Sequence, residues 1–357
     1  MLLLIRASRR AASSIGAAAS AGVAFDIDGV LMRGKQPVAS AGAALRALQD
    51  GGVPFVLLTN GGGYPESVKA QALSEALDVV IGADQVVLSH TPMRDLVELY
   101  GEKRVLVLGK RYEQLSAVME SYGFADVVTA EELHAQHPTL YGDVAVEEAA
   151  AARVASWSHA TASKPIDAVL ALTDPVLWGR EVQLACDVLR APGGVPGGVP
   201  RRAPGGAAQV PFFSACADFE YTAEPAVPRL GSGAFHFALE AIYRASVGRP
   251  LDAVRFGKPE GASFAFAERL IDARAAALGV PPPTSLFMVG DNPLTDIKGA
   301  KRAGGRWRAV LTQSGMFTGA AAENAALPEP ADYVVPDVGS IVEIVLGEHS
   351  LQGSSAK

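Results

Sequence analysis

The sequence predicts an α/β fold: a doubly wound, Rossmann-like parallel sheet with a second α/β domain inserted in its middle. Three observations predict it. The runs "GVAFDID", "VPFVLLTN" and "SLFMVGD" are short, apolar and end in polar residues. That is the pattern of strands buried on both faces of a parallel sheet. Between the first two lies "ASAGAALRALQDGG", an Ala- and Leu-rich segment stopped by Gly51 and Gly52. A strand, a helix and a strand in close succession form a βαβ unit. Between the second and third runs comes a long stretch with its own alternation of strand and helix patterns.

Taken in order, "GVAFD" is the first core strand and the alanine-rich segment the first helix. "VPFVLL" is the second strand. In the insertion, "DVVIG", "RVLVLG" and "DAVLAL" read as strands with helices between them. Phe235, Phe237 and Leu239 read as the core side of a helix after "GSG". "SLFMVG" returns the chain to the core sheet, followed by a helix around "DIKGAKRAG" and strands at "WRAVLT" and "DYVV". The predicted core therefore spans 22–63 plus 230–345, and the inserted domain 64–229. Residues 191–206, "APGGVPGGVPRRAPGG", are too poor in apolar side chains to order themselves and read as a flexible loop. Residues 346–357 read as a flexible tail.

The first 21 residues differ from the rest. They carry Arg6, Arg9 and Arg10, many alanines and several serines, and no acid precedes Asp26. That is the composition of an organelle transit peptide, which predicts the mitochondrial matrix; a tail without an address, and a cytoplasmic protein, is the alternative. The chain of 357 residues has a net charge of -7, which argues against a general nucleic-acid binder. No apolar run approaches the roughly 18 residues of a membrane span. Two cysteines, Cys186 and Cys216, are not a disulfide framework. The sequence leaves the oligomeric state open, with a homodimer considered.

The chemistry concentrates at strand ends. Residues i and i+2 of a strand face the same side, so Asp26 and Asp28 both leave the carboxyl edge of the sheet while Ile27 turns inward. Ligands of open α/β sheets bind at that edge. Two carboxylates there repel unless a cation joins them, and a hard divalent ion such as Mg²⁺ suits oxygen ligands. Thr59 and Asn60 end the second strand and precede "GGG", a hydroxyl with glycine-flanked N–H groups that suits phosphate. "GDNPLTD" brings Asp291 and Asp296 to the same edge, and "FGKPEG" sets Lys258 in a turn before a helix.

The order DxDGV, TN, GKP, GDNxxTD resembles that of the haloacid dehalogenase superfamily of aspartate-nucleophile phosphohydrolases. The resemblance covers nearly everything after Val23. An insertion between the second and third motifs resembles the cap of the class IIA branch. "LTNGGG", "SHTPM", "PRLGSGAF" and "FGKPEGASFAFAE" resemble the cat eye syndrome critical region protein 5 family, also called haloacid dehalogenase-like hydrolase domain-containing protein 5 and largely mitochondrial.

The resemblance implies a Mg²⁺-dependent phosphatase that acts on a small phosphorylated metabolite through an aspartyl-phosphate. Asp26 is then the nucleophile and Asp28 the general acid and base. Thr59, with Asn60 and Gly61, binds the phosphoryl group, and Lys258 neutralises charge. Asp26, Asp28 (through its carbonyl) and Asp291 hold the metal, with Asp296 supporting them. Asp218 is the cap candidate for substrate contact. One position departs from the pattern: Cys216, in "SACADFEY", stands where the family has Asn. The alternative is a protein of the same fold with a binding or regulatory role and little catalysis, linked to glycerophospholipid metabolism. Dehalogenase chemistry is disfavoured, because a leaving halide needs neither the second acid nor the metal.

Overall fold

A computed structural model describes residues 21–142, 144–158, 164–196, 209–221 and 227–352. The strands of its two larger sheets, in chain order, are β1 (Ala21–Phe25), β2 (Phe55–Leu58), β3 (Val86–Val87), β4 (Arg104–Leu108), β5 (Asp126–Thr129), β6 (Ala168–Ala171), β7 (Phe212–Ala215), β8 (Ala253–Phe256), β9 (Ser285–Gly290), β10 (Trp307–Thr312) and β11 (Tyr333–Val335). The chain forms two compact units. One comprises the residues up to Thr59, Glu66–Leu88 and the residues from Lys258 onward; the other comprises Asn60–Pro65 and Ser89–Gly257.

The first unit is built on a six-stranded parallel sheet in the order β11-β10-β9-β1-β2-β3. The strands are short and mostly apolar, rich in Val, Leu and Phe, and all residues of β1 and β2 are buried. Ala24, Val56, Leu286, Met288 and Leu311 meet Phe264, Phe266 and Ile271 of the helix Gly261–Ala277 in one apolar core. The strand order reverses between β1 and β9. Chain order runs outward from β1 to β3 on one side and from β9 to β11 on the other, the topology of a doubly wound sheet.

The second unit has a five-stranded parallel sheet, β8-β7-β6-β4-β5, between helices. The helix Trp178–Arg190 contributes Leu184, Ala185 and Val188 to its main apolar cluster. No helix among the described residues is long and apolar enough to cross a membrane.

The structure divides the chain elsewhere than the sequence reading does. Residues 66–88, assigned there to the insertion, belong to the first unit, because β3 pairs with β2. Residues 230–257, assigned to the core, belong to the second. β8 pairs with β7, and Phe235, Leu239 and Tyr243 of the helix Ser232–Val247 pack with Leu106, Val169 and Phe212. Phe237 of that helix is exposed rather than core.

"DVVIG" is not a strand. Asp78 takes a left-handed φ of 52°, and the N–H groups of Val79 and Ile81 are taken by the carbonyl and hydroxyl of Ser74. Val79 and Ile81 are buried and Val80 is exposed, so this loop has the alternation of a strand without its pairing.

Residues 346–352 are not a tail, because the helix Val338–Gln352 runs through them. Ala21 is a buried residue of β1, paired with Ser285, so the predicted transit peptide overlaps the sheet by one residue. Residues 1–20 lie outside the described residues, as do 197–208 of the predicted flexible loop. The part of that loop from 191 to 196 contains a 3-10 turn at Pro192–Gly194.

Candidate active site

Three strand ends meet at the reversal of the first sheet. Phe25 is in register with Leu57 on one side and Val289 on the other. The residue that follows each strand reaches the same edge: Asp26 after β1, Thr59 after β2, Asp291 after β9. Asp26 N–H donates to the Val289 carbonyl (2.8 Å) and Thr59 N–H to the Val87 carbonyl (3.0 Å), which extends the ladder through both residues. All three are buried.

The turn after β1 folds back at once. Leu31 and Met32 N–H both donate to the Ile27 carbonyl, and Gly29 N–H to that of Met32. Gly29 has a φ of +89°, and a Cβ there would lie 2.0 Å from Asp291 Oδ2. Glycine is required on both counts. From the other side Gly315 presses on the same oxygen, where a Cβ would lie 1.9 Å away. Met316 N–H donates to Asp291 Oδ2 (2.5 Å), and Ser314 Oγ donates to the Gly29 carbonyl (2.7 Å). The loop "QSGMF" after β10 thus holds Asp291 and the Gly29 turn together. The sequence reading did not single it out; a Ser-Gly pair directly after a buried strand was the available signal.

Lys258 fills the floor. Its Nζ lies 2.7 Å from Asp26 Oδ1 and 2.7 Å from Asp296 Oδ1, and its side chain is 2% exposed. Burial by itself pushes the ammonium down, but Asp26 and Asp296 together outweigh it and hold the group above its ordinary value. Asp296 lies within a short π turn, Pro293–Ile297, opened by the Asn292 side chain, which accepts from Leu294 N–H. Its Oδ2 accepts from Asn292 N–H (3.0 Å).

The carboxylates of Asp26, Asp291 and Asp296 converge, with one oxygen from each within 4.8 Å of the others. Burial first, and then the Asp26 charge, push Asp291 up to about 6 against the pull of the Met316 N–H. Asp296 is likewise raised by burial and by the charges of Asp26 and Asp291, with Lys258 opposing. Two carboxylates held above their ordinary range beside a third describe a site short of positive charge. A hard divalent ion with oxygen ligands supplies that charge, so this donor set fits Mg²⁺.

Asp28 stands apart from that triad. It is exposed, yet loss of solvent around its carboxyl still raises it, followed by the Asp26 charge; Lys69 is the largest opposing influence and Lys258 a smaller one. Lys69 lies on the helix Glu66–Leu77 and was not among the residues singled out from sequence.

Asn60, Gly61 and Asp218 belong to the second unit. Asn60 Nδ2 donates to Asp218 Oδ1 (2.8 Å), and the Gly61 carbonyl accepts from Ser89 N–H (3.1 Å). Cys216 has a φ of +61°. Asn enters that left-handed region more readily than most residues, so an Asn would suit the backbone at this position. The Cys216 thiol is pushed up to about 12 by burial first and by Asp218 next, so it stays protonated and is a poor nucleophile.

Comparison with known proteins gives the family. Residues 23–125 match the model of a haloacid dehalogenase-like hydrolase family, and 255–341 match a second model described as haloacid dehalogenase hydrolase-like. A mitochondrial hydrolase of Saccharomyces cerevisiae is 32% identical over 313 residues, 82% of this chain and 87% of that protein. The chain belongs to the haloacid dehalogenase-like hydrolase family. A second member, a cardiolipin synthase (CMP-forming)/mitochondrial hydrolase fusion protein of Schizosaccharomyces pombe, is 36% identical over 298 residues. That match covers 83% of this chain and 49% of the fusion protein, so the chain spans about half of that relative's length. Among solved structures, the 4-nitrophenylphosphatase of Thermotoga maritima superposes with a TM-score of 0.62 at 20% identity, covering 93% of this chain and 99% of its own. At that identity the likeness is one of fold.

Proposed function

We propose that this family member is a Mg²⁺-dependent phosphatase for a small phosphate monoester, working through an aspartyl-phosphate. The observation that carries the reading is the placement of Lys258 between Asp26 and Asp296, with Asp291 alongside, at the sheet's reversal point. Lys258 binds one Asp26 oxygen, which orients the carboxylate and leaves its second oxygen for attack on phosphorus. The attack forms an Asp26–phosphorus bond and breaks the bond to the leaving oxygen. Asp28, whose carboxyl is raised from its ordinary value by burial first, donates the proton which that oxygen needs. It then takes a proton from the water that cleaves the aspartyl-phosphate, releasing phosphate and restoring Asp26. Thr59 presents its hydroxyl to a phosphoryl oxygen. Asp26, Asp291 and the Asp28 carbonyl would hold Mg²⁺, with Asp296 behind them. When bound, the ion supplies positive charge for the phosphoryl oxygens.

The relatives' names support two further parts of the reading. Both are named as mitochondrial, which agrees with the Arg-rich, acid-free residues 1–20 and favours the mitochondrion. The fission-yeast relative is joined to a cardiolipin synthase, which favours a phosphate monoester of phospholipid metabolism as substrate. The test is a screen of purified protein against phosphorylated metabolites, glycerol phosphates and phosphatidylglycerophosphate included, with Mg²⁺ or with chelator. Release of phosphate that needs Mg²⁺ and is lost in Asp26→Asn supports the proposal. No hydrolysis of any compound, p-nitrophenyl phosphate included, would favour the binding role instead.

A further inference from the structure

Directly after the Gly29 turn the chain forms a short hairpin, in which Met32 and Arg33 pair with Pro37 and Gln36. Arg33, Gln36 and Pro37 are exposed. A two-stranded hairpin is at best marginally stable by itself. Arg33 anchors this one. Its Nε donates to the Ser314 carbonyl, 281 positions along the chain, at 2.6 Å.

Ser314 is buried and tied to two parts of the candidate site. Its hydroxyl donates to the Gly29 carbonyl (2.7 Å), in the turn that carries Asp28. The next two residues meet Asp291: Gly315 packs against Oδ2, and Met316 N–H donates to it (2.5 Å). Gly29 N–H donates to the carbonyl of Met32, one residue before Arg33 (2.7 Å). Gly29, Met32, Arg33 and Ser314 therefore close a ring of hydrogen bonds, and the Arg33 side chain is the member that crosses from hairpin to loop.

The loop is fixed on either side of this point. Gln313 N–H donates to the Val335 carbonyl (3.0 Å), and Phe317 N–H to that of Asp291 (3.1 Å). Between these anchors, Gln313 and Ser314 border a cavity of about 490 Å³ together with Arg33, Val38 and Asp337. On that side the loop is held by hydrogen bonds rather than by close packing. From Gly315 to Phe317 it is half-buried or exposed, so burial does little to hold the residues that meet Asp291.

We propose that Arg33 is a positioning residue for the metal-binding carboxylate of Asp291, acting through the Ser314 loop. The inference rests on the Mg²⁺ site proposed above. Asp291 Oδ2 lies so close to Gly315 that a Cβ there would be 1.9 Å from it, and the same oxygen accepts from Met316. A small shift of the loop must therefore turn the carboxylate or lengthen its bond to Met316. Arg33 opposes that shift by holding the Ser314 carbonyl, and a charged donor to a carbonyl is stronger than a neutral one.

The test compares the full chain with Arg33→Met, which keeps an unbranched stem without donors, and Arg33→Lys, which returns a donor. Isothermal titration measures Mg²⁺ binding, and hydrogen exchange of the Met316 amide is followed in metal-free protein. Arg33→Met should weaken Mg²⁺ binding roughly three- to tenfold and speed Met316 exchange by a similar factor. Arg33→Lys should recover part of both. At saturating Mg²⁺ the KM for p-nitrophenyl phosphate should not change. Wild type that binds no Mg²⁺ overturns the metal site, and this proposal with it. Wild type that binds Mg²⁺, with equal binding by Arg33→Met, overturns this proposal alone. So does unchanged exchange at Met316, because the effect would then bypass the loop. A raised KM with unchanged Mg²⁺ affinity would make Arg33 a substrate contact instead.

Discussion

Lys258 Nζ lies 2.7 Å from Asp296 Oδ1, and neither side chain reaches water: their side chains are 2% and 0% exposed. The same ammonium lies 2.7 Å from Asp26. Removing one member of such a buried pair leaves an uncompensated charge and costs about 3–5 kcal/mol. Lys258→Met should therefore lower stability by about that much in urea unfolding. Adding Asp296→Asn to it should restore part of the loss, because one of the two stranded carboxylates is gone. A double variant no more stable than Lys258→Met would mean that Asp296 is already neutral in the folded protein.

The first two aspartates should separate kinetically. Asp26→Asn removes the attacking oxygen and should release no nitrophenolate from p-nitrophenyl phosphate. Asp28→Asn should release about one equivalent in a burst, since nitrophenolate leaves without a proton. It should then stall, with hydrolysis of the aspartyl-phosphate slowed by roughly 10²–10⁴-fold. Stopped-flow absorbance measures both phases. A burst in Asp26→Asn and none in Asp28→Asn would reverse the roles.

Gly315→Ala places a methyl 1.9 Å from Asp291 Oδ2 and must displace either the loop or the carboxylate. The expected result is an increase of roughly tenfold or more in the Mg²⁺ concentration giving half-maximal activity. That corresponds to about 1.4 kcal/mol at a charged ligand, close to the lower end for a hydrogen bond to a charged group. An unchanged Mg²⁺ dependence would separate Asp291 from the metal.

Cys216 occupies a left-handed conformation that costs a non-glycine residue roughly 1–2 kcal/mol. Cys216→Asn should recover about 0.5–1 kcal/mol of this and raise the melting temperature. A lower melting temperature would show that the thiol's packing outweighs the backbone preference.

His236 is 5% exposed, and its Nε2 has no hydrogen-bond partner among the described residues. Burial first, and then Arg255, push it down from 6.5 to about 4. Between those values the unfolded chain holds a proton that the folded chain does not, so this residue makes stability fall as pH is lowered from about 6.5 to 4. The full effect is about 3 kcal/mol. Glu131 and Glu181, raised by burial first, work in the opposite sense, so the measurement is the difference between wild type and His236→Gln across the same pH range. A constant difference would show that His236 is protonated in the folded protein.

Much of the candidate site was legible because its signals are local. β1, β2 and β9 are short runs of buried apolar residues, and each ends in a polar group that the pleat or the next turn carries to the sheet edge. Asp26, Asp28, Thr59, Asp291 and Asp296 could be marked on that pattern alone, whereas Lys258 gained meaning only from its place among them. Other features depend on contacts between distant segments, which leave no periodicity. The loop at Ser314 closes on Gly29, 285 positions away, and a glycine at 315 shows its purpose only when Asp291 lies against it.

The unit boundaries were misplaced for a related reason. Strand pairing, rather than hydrophobic pattern, assigns β3 to one sheet and β8 to the other. Val79 and Ile81 have a strand's alternation, yet Ser74 takes their N–H groups and no partner strand receives them. The sequence by itself determined the buried strands β1, β2, β9 and β10 and which polar groups stand at the ends of the first three, because burial and the two-residue period are properties of short segments. Only the tertiary structure decided which carboxylates share Lys258, which strands share a sheet, and that Glu131 and Glu181 share Arg180, because hydrogen bonds and ion pairs form between side chains that the chain brings together only when folded.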